Sequence, residues 1–478
     1  MAKVYITTTL PYVNADPHIG FALEIIQADV WVRAQRLMGN EVVFNTGTDE
    51  HGLKIYQNAK DENKDTQQYV DEYAAKFNKL KEALDLTYTN FIRTTDAHHK
   101  KAAQVFWKLC QENGDIYKKN YKIKYCVGCE LAKTDSELVN GKCPLHPNKE
   151  LMIIEEENFF FKFSRFQEKL LKHYKNNPDF VKPSNRLQEV TNFVKGGLED
   201  FSISRLKKNM PWGVPVPGDD DHVMYVWFDA LINYISTLGW PEDEKNFNDF
   251  WPGIQVAGKD NLRQQAAMWQ AMLMSACLPP SKQIFIHGFI TMNGEKISKS
   301  TGNVVNPFDL VNKYGTDAVR YFLLREIPSL DDGDFSIRRF EEVFNADLAN
   351  TIGNLVARVT TLCQQNNVVF DEKEEKDNNV KTRLEKGGFS DHVNKFEFNL
   401  ALEELWREYK MIDNEINKYE PWKKQGEELI TNLKNYLKNI REITHYLQPF
   451  LPNTAEKIMK ATSGKIQKIK PLFPRLQK

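Results

Sequence analysis

The chain has 478 residues, about three domain lengths at roughly 150 residues each, which excludes a single small binding module. Apolar residues make up 41% and charged residues 27%, the balance of an ordinary globular protein and not of a disordered or collagenous one. With 64 Lys and Arg against 65 Asp and Glu the net charge is −1, so any nucleic-acid contact must use local basic patches, not whole-chain attraction.

Met1 to Leu10 lacks the basic start and apolar stretch of a signal peptide, and no apolar run of roughly 18 residues is present to span a bilayer. A cytoplasmic protein with no membrane partner is expected. Val4 to Thr9 is β-branched and apolar and predicts a strand, followed by a turn with Pro11, Asn14 and Asp16. Asp16 as N-cap and Pro17 at the first helical position predict a helix from about His18 to Gly39. Glu41 to Thr46 is the next strand, and this β-α-β order argues for a parallel sheet with its ligand site at the carboxyl ends of the strands. Short apolar runs at Val223 to Phe228, Ile254 to Ala257 and Ile284 to Gly288 repeat the order later.

Between these halves, residues 116–216 read as an insertion with strand-like runs such as Asn158 to Phe163. From Phe340 onward the pattern is helical: Leu348, Ile352, Leu355, Val359 and Leu362 step by three and four along one apolar face. The charge-dense stretch 371–386 reads as a solvated loop or helix edge. No fixed-period repeat argues for a solenoid.

Six cysteines are too few for a disulfide scaffold in so long a chain. Cys126-Val-Gly-Cys129 and Cys143-Pro-Leu-His146 form two knuckle-like pairs, three thiols and one imidazole, which is a closed tetrahedral set for one structural zinc ion. Cys110, Cys277 and Cys363 lie apart and are expected to be small buried apolar residues.

His18-Ile19-Gly20-Phe21 opens the first helix, where backbone N–H groups and the helix dipole favour an anion and where Gly20 lets a flat ligand approach closely. Lys296-Ile297-Ser298-Lys299-Ser300 is a compact set of donors for a triphosphate, flanked by Gly294 and Gly302. Either motif alone also reads as a solvated or capping sequence. Together on a split α/β sheet they are far more specific.

The two signatures, the metal-binding insertion and the helical C-terminal region together resemble the class I aminoacyl-tRNA synthetases. Leu10-Pro11-Tyr12-Val13-Asn14, Thr48-Asp49-Glu50-His51-Gly52, Val226-Trp227-Phe228-Asp229-Ala230 and Gly258-Lys259-Asp260-Asn261 are similar to the methionyl-tRNA synthetases in particular. The resemblance implies an α/β fold: a split Rossmann-type parallel-sheet catalytic domain over 1–115 and 217–300, a zinc-binding insertion over 116–216, a linker over 301–339, and an all-α anticodon-binding domain over 340–478 with a basic tail.

It also implies a methionine–tRNA ligase that forms methionyl-adenylate and pyrophosphate from L-methionine and ATP, then transfers methionyl to initiator and elongator tRNA(Met). His18, Lys296 and Lys299 would be catalytic, and Gly20 and Ser298 would join them around ATP, with Mg2+ bridging its phosphates. Asp49 would accept the substrate ammonium, and Leu10, Tyr12, Trp227, Ala230, Ile232, Tyr234 and Gln265 would enclose methionine. Asn354, Arg358 and Trp422 would read the anticodon, since stacking and edge hydrogen bonds recognise unpaired bases.

Two departures from the family pattern stand out. Phe21 replaces the second histidine of the first signature, and Gln264-Gln265 stands where an aromatic and a histidine are common. Phe21 motivates the rival reading, a catalytically impaired RNA-binding paralogue; a nucleotidylyltransferase would need neither the zinc insertion nor the helical reader. A monomer is expected. Residues 461–478 carry five Lys and Arg and no acid, suited either to tRNA backbone or to plain solvation.

Overall fold

The computed structural model describes residues 1–129, 131–133, 137–292, 294–296, 304–371 and 379–477. Ser298 and Lys299 lie outside the described residues. The chain forms two compact units: residues 1–17, 40–79 and 88–286, and residues 18–39, 80–87 and 287–478.

The first unit is built on a sheet of six strands in the order Asn90–Arg93, Glu41–Thr48, Lys3–Thr8, Ile254–Gly258, Gln283–His287, Val181–Lys182. Lys3–Thr8 pairs in parallel with Glu41–Thr48 on one side and with Ile254–Gly258 on the other. Strand order reverses at this point, the place where an open parallel sheet takes its ligand. Strand Ile254–Gly258 is buried at every position, and Glu41–Thr48 at all but two, which explains their apolar and β-branched composition. Phe106 stacks on Trp269 at 5.7 Å in the core beside the sheet.

One expected strand is different. Asp219–Met224 is a strand of a small antiparallel sheet, and Val226–Ala230 is a short helix, so the run Val223 to Phe228 divides at Tyr225. The Phe228 and Asp229 N–H groups both donate to the Tyr225 carbonyl, closing a helical turn, while the Phe228 ring packs edge-on against Phe106 and Trp107. Tertiary packing overrides the β propensity of the run. The insertion forms a four-stranded sheet in the order Leu131–Lys133, Ile116–Cys126, Met152–Phe161, Phe201–Ser202 and also supplies the edge strand Val181–Lys182. Its Met152–Phe161 strand ends two residues before the expected Phe163, which begins a 3-10 turn.

In the second unit the first long helix runs Ile19–Leu37. Its cap is His18, not Asp16: the His18 Nδ1 accepts from the Gly20 N–H at 3.1 Å, whereas Asp16, in the first unit, holds Lys76 at 2.7 Å. Asp29 on this helix is fully buried and bonded to Arg33 at 2.8 Å and Arg320 at 2.9 Å. Burial alone would raise the Asp29 carboxyl, but Arg320 and Arg33 hold it below its ordinary value. Arg320 also donates to the carbonyls of Leu84, Pro449 and Phe450, so that one guanidinium ties three other segments of the unit to its own helix. Removing one partner of such a buried pair costs about 3–5 kcal/mol.

A π-helical stretch, Phe344–Gly353, leads into Asn354–Gln365. Leu348, Ile352, Leu355 and Val359 are buried as their spacing predicts, and Leu362 is half-buried. Helices Phe398–Tyr419 and Glu427–Leu447 are the longest of the region. In the charge-dense stretch, residues 372–378 lie outside the described residues and Asn379–Lys386 is a helix. Cys110 and Cys363 are buried, but Cys277 is exposed. Its backbone is left-handed (φ 57°) just past the helix Trp269–Ser275, where the chain turns at the surface. Among the described residues no helix is long and apolar enough to cross a membrane.

Candidate functional site

In the first unit the loop after strand Lys3–Thr8 is laced to the end of strand Glu41–Thr48. Val13 N–H donates to the Asp49 carbonyl at 3.1 Å and Asp49 N–H to the Pro11 carbonyl at 3.0 Å, making Tyr12 and Asp49 a parallel bridge. Leu10 and Tyr12 are half-buried and Asp49 is buried.

Both neighbours of Asp49 are pinned. The buried Glu50 carboxylate takes a forked pair of bonds from Arg93 at 2.7 and 2.9 Å and accepts the Thr48 and Thr95 hydroxyls. Its carbonyl accepts the Trp212 indole N–H at 2.6 Å. On the other side, His51 Nδ1 lies 2.5 Å from Asp229 Oδ2, and His99 Nε2 lies 2.9 Å from Asp229 Oδ1. Burial alone would raise the Asp229 carboxyl, but His51 and His99 beside it bring it down to about 2. A carboxylate held this firmly fixes the short helix Val226–Ala230 that carries Trp227 and Ala230. The Trp227 indole nitrogen is buried and makes no hydrogen bond among the described residues.

Ile232 and Tyr234 follow, both buried. The Tyr234 hydroxyl accepts from Gln265 Nε2 at 2.7 Å, and its ring meets Trp269 edge-on at 6.0 Å. The residues expected around methionine thus join by direct bonds or along short segments. Sequence reading missed Glu50, His51, Arg93, His99 and Asp229 as its supports. Their partners are 43 to 178 positions apart in sequence, and only the buried charges themselves give a signal.

In the second unit His18 is exposed, and because its Nδ1 accepts the Gly20 N–H, the neutral ring carries its proton on Nε2 as a donor. A Cβ on Gly20 would lie 3.0 Å from His18 Cε1, so with any larger residue the exposed imidazole would have to shift by a few tenths of an ångström. The Ile19 N–H donates to the Val305 carbonyl. The main chain of Lys296 belongs to a two-residue strand paired antiparallel with Ile290–Met292.

Cys126, Cys129, Cys143 and His146 converge, with one ligand atom from each lying within 4.8 Å of the others. Cys129 Sγ is 3.4 Å from Cys143 Sγ and 3.2 Å from His146 Nδ1. Tetrahedral thiolates around zinc at ~2.3 Å stand about 3.8 Å apart, so the donor set fits such an ion. Asn140-Gly141, both left-handed, turns the intervening hairpin between the bridged residues Val139 and Lys142. Gly128 is needed for the approach of His146, because a Cβ there would meet the imidazole at 2.4 Å.

In the helical region Asn354 is exposed and Arg358 lies one turn on, its guanidinium over the Trp422 ring.

The model of the class I tRNA synthetases (M) matches residues 4–152 and 147–360. The methionine–tRNA ligase of Thermotoga maritima is 41% identical over 96% of this chain and 75% of that protein, and that of Rickettsia bellii 41% over 95% and 91%. The structure of Mycobacterium tuberculosis methionyl-tRNA synthetase in complex with methionyl-adenylate superposes with a TM-score of 0.92 at 36% identity, covering 99% of this chain and all of that one.

The chain belongs to the methionyl-tRNA synthetases. It is accordingly an aminoacyl-tRNA synthetase, a methionine–tRNA ligase. The split α/β sheet and the three-thiol, one-imidazole cluster that the sequence predicts are present in this methionyl-tRNA synthetase. Its Gln265 donates a hydrogen bond to the tyrosine that follows the Trp227 helix.

Proposed function

We propose that this chain carries out both half-reactions of a methionyl-tRNA synthetase with the residues assembled above. Asp49 accepts the α-ammonium of L-methionine, while Leu10, Tyr12, Trp227, Ala230, Ile232, Tyr234 and Gln265 enclose its side chain. Apolar and aromatic walls suit a polarizable thioether. The methionine carboxylate attacks the α-phosphorus of ATP, pyrophosphate leaves, and the 3′-terminal adenosine of tRNA(Met) then takes the methionyl group.

His18 Nε2–H, the Gly20 segment at the helix start, Ser298 and the lysines Lys296 and Lys299 stabilise the charge spreading over the phosphates, with ATP entering as its Mg2+ complex. Phe21 adds no donor, so the load falls on His18 and the lysines. One zinc ion held by Cys126, Cys129, Cys143 and His146 is structural: four protein ligands leave no position for substrate. Asn354, Arg358 and Trp422 read the anticodon of initiator and elongator tRNA(Met), and the protein works in the cytoplasm.

The observation that carries this reading is the pinned segment Thr48–Gly52, which presents Asp49 between two fixed neighbours. Methionine-dependent exchange of pyrophosphate into ATP tests it, together with methionylation of tRNA(Met). Lys299→Ala should slow exchange by on the order of 2–4 kcal/mol in barrier while leaving methionine binding nearly intact. Tight tRNA binding with no exchange would instead identify an RNA-binding paralogue.

A further inference from the structure

Behind Tyr234 runs a chain of buried side chains joined in one direction. Gln270 Nε2 donates to Ser281 Oγ at 3.1 Å, Ser281 Oγ to Gln255 Oε1 at 2.6 Å, Gln255 Nε2 to Gln265 Oε1 at 3.1 Å, and Gln265 Nε2 to the Tyr234 hydroxyl at 2.7 Å. All five residues are at most 3% exposed. Four buried polar side chains behind one tyrosine are a costly arrangement unless every group is satisfied, and here each link satisfies the next.

The backbone is adapted to the chain. Gln264–Met268 is a π-helical turn, whose shifted register leaves helix carbonyls without their usual partners, and Gln270 Nε2 also donates to the Gln265 carbonyl at 2.8 Å. The Ser281 N–H closes the far end onto Gln270 Oε1 at 3.0 Å. Because every amide is committed at both its oxygen and its nitrogen, Gln265 can present only its N–H to Tyr234. The Tyr234 oxygen is thereby fixed as an acceptor on this side and its own proton turned to another direction.

We propose that Gln265 is a positioning residue for methionine: through this chain of amides and hydroxyls it fixes the Tyr234 ring and the direction of its hydroxyl, and so makes methionine binding insensitive to pH around neutrality. The inference rests on the reading of Tyr234 as a wall of the methionine pocket. No member of the chain gains or loses a proton between about pH 5 and 8. The ionisable groups bonded to the same elements include His99, whose Nδ1 lies 2.9 Å from Ser236 Oγ, Asp115, which accepts the Ser275 hydroxyl at 2.8 Å, the Cys110 thiol beside the Met272 carbonyl, and two phenols: Tyr5, which donates to the Tyr234 carbonyl, and Tyr174, which donates to the Ala266 carbonyl. Burial pushes both phenols upward, away from neutrality. His173, packed on the Tyr174 ring, is pushed below its ordinary value by burial. Arg263, on the outer side, stacks over Phe193.

The test is methionine-dependent pyrophosphate exchange from pH 5.5 to 8.5 with the wild-type enzyme, Gln265→His, Gln265→Leu and Gln255→Leu. The wild-type KM for methionine should stay flat across this range. Gln265→His puts a titratable ring in the same place and should bend the KM profile between about pH 6 and 7.5. Gln265→Leu should raise the methionine KM about tenfold or more with the ATP KM changed less than twofold, and Gln255→Leu, one link away, should act in the same direction more weakly. A flat profile for Gln265→His, or an unchanged methionine KM in Gln265→Leu, overturns the proposal. If Gln265→Leu does not fold, the Gln265→His profile and Gln255→Leu decide. An absence of methionine-dependent exchange in the wild type would overturn the functional reading itself, a result distinct from either.

Discussion

The Arg358 guanidinium carbon lies 5.0 Å from the centroid of the Trp422 ring, and the same guanidinium is held by Asp413 at 3.0 Å and Asn417 at 2.7 Å. Asp413 and Asn417 are four apart on the helix Phe398–Tyr419, so one face of that helix orients the arginine, and the arginine braces the indole. Trp422 is 52% exposed, so its ring is open to solvent.

An exposed, braced indole is a platform for an unpaired base, and such stacking is worth roughly 1–3 kcal/mol. Trp422→Ala should therefore cut methionylation of a tRNA with a CAU anticodon about ten- to a hundredfold at limiting tRNA, with pyrophosphate exchange nearly unchanged. Parallel loss in both assays would mean that the substitution unfolds the protein, and no loss in either would place anticodon reading elsewhere.

Legibility followed the range of the interactions. The switch-point strands, the apolar face from Leu348 to Val359 and the four clustered metal-type ligands are written in local spacing, so the sequence predicts them. What was not legible depends on partners distant in sequence. His18 became the cap because its ring reaches Gly20, while Asp16 holds Lys76 60 positions away. Tyr225 to Phe228 left the expected strand because Phe106 and Trp107 receive the Phe228 ring. Support for the site, from Asp229 to the amide chain behind Tyr234, consists of polar residues whose burial no local pattern announces.

Asp49 should anchor the substrate ammonium by a charge-assisted bond in a largely desolvated place. Its main-chain bonds to Pro11 and Val13 do not depend on the carboxylate, so Asp49→Asn should fold normally. Losing the charge should weaken methionine by about 1.5–3 kcal/mol or more, on the order of ten- to a hundredfold. Calorimetric titration reads this directly; undiminished methionine affinity would refute the assignment.

Zinc should be present at one per chain and should hold the insertion together. Cys129→Ser combined with Cys143→Ser should abolish it and lower the melting temperature, as should chelation. Gly128→Ala leaves all four ligands in place but drives a methyl into the His146 ring, so it should weaken metal retention without removing a donor. Full zinc content in the double variant by elemental analysis would sink the ligand assignment.

Asp229 gives the site an acid-sensitive support whose sign can be worked out. Its carboxyl lies at about 2 in the folded chain, against an ordinary value of 3.8, because His51 and His99 outweigh the effect of burial. A depressed carboxyl stabilises the fold fully above the unfolded value, and the contribution is lost as pH falls through the folded one. The window is therefore from about pH 4 down to about 2, and the contribution is on the order of 2 kcal/mol. Asp229→Asn removes the charge that both histidines face, so the variant should be less stable than the wild type by a nearly constant amount from pH 5 to 8, with the gap closing only below pH 4. Denaturant unfolding at stepped pH measures the gap. If it closes between pH 7 and 5 instead, the Asp229 carboxylate does not govern the support. Because Trp227 and Ala230 ride on the helix that Asp229 anchors, the same variant should raise the methionine KM at neutral pH, where the stability gap is open.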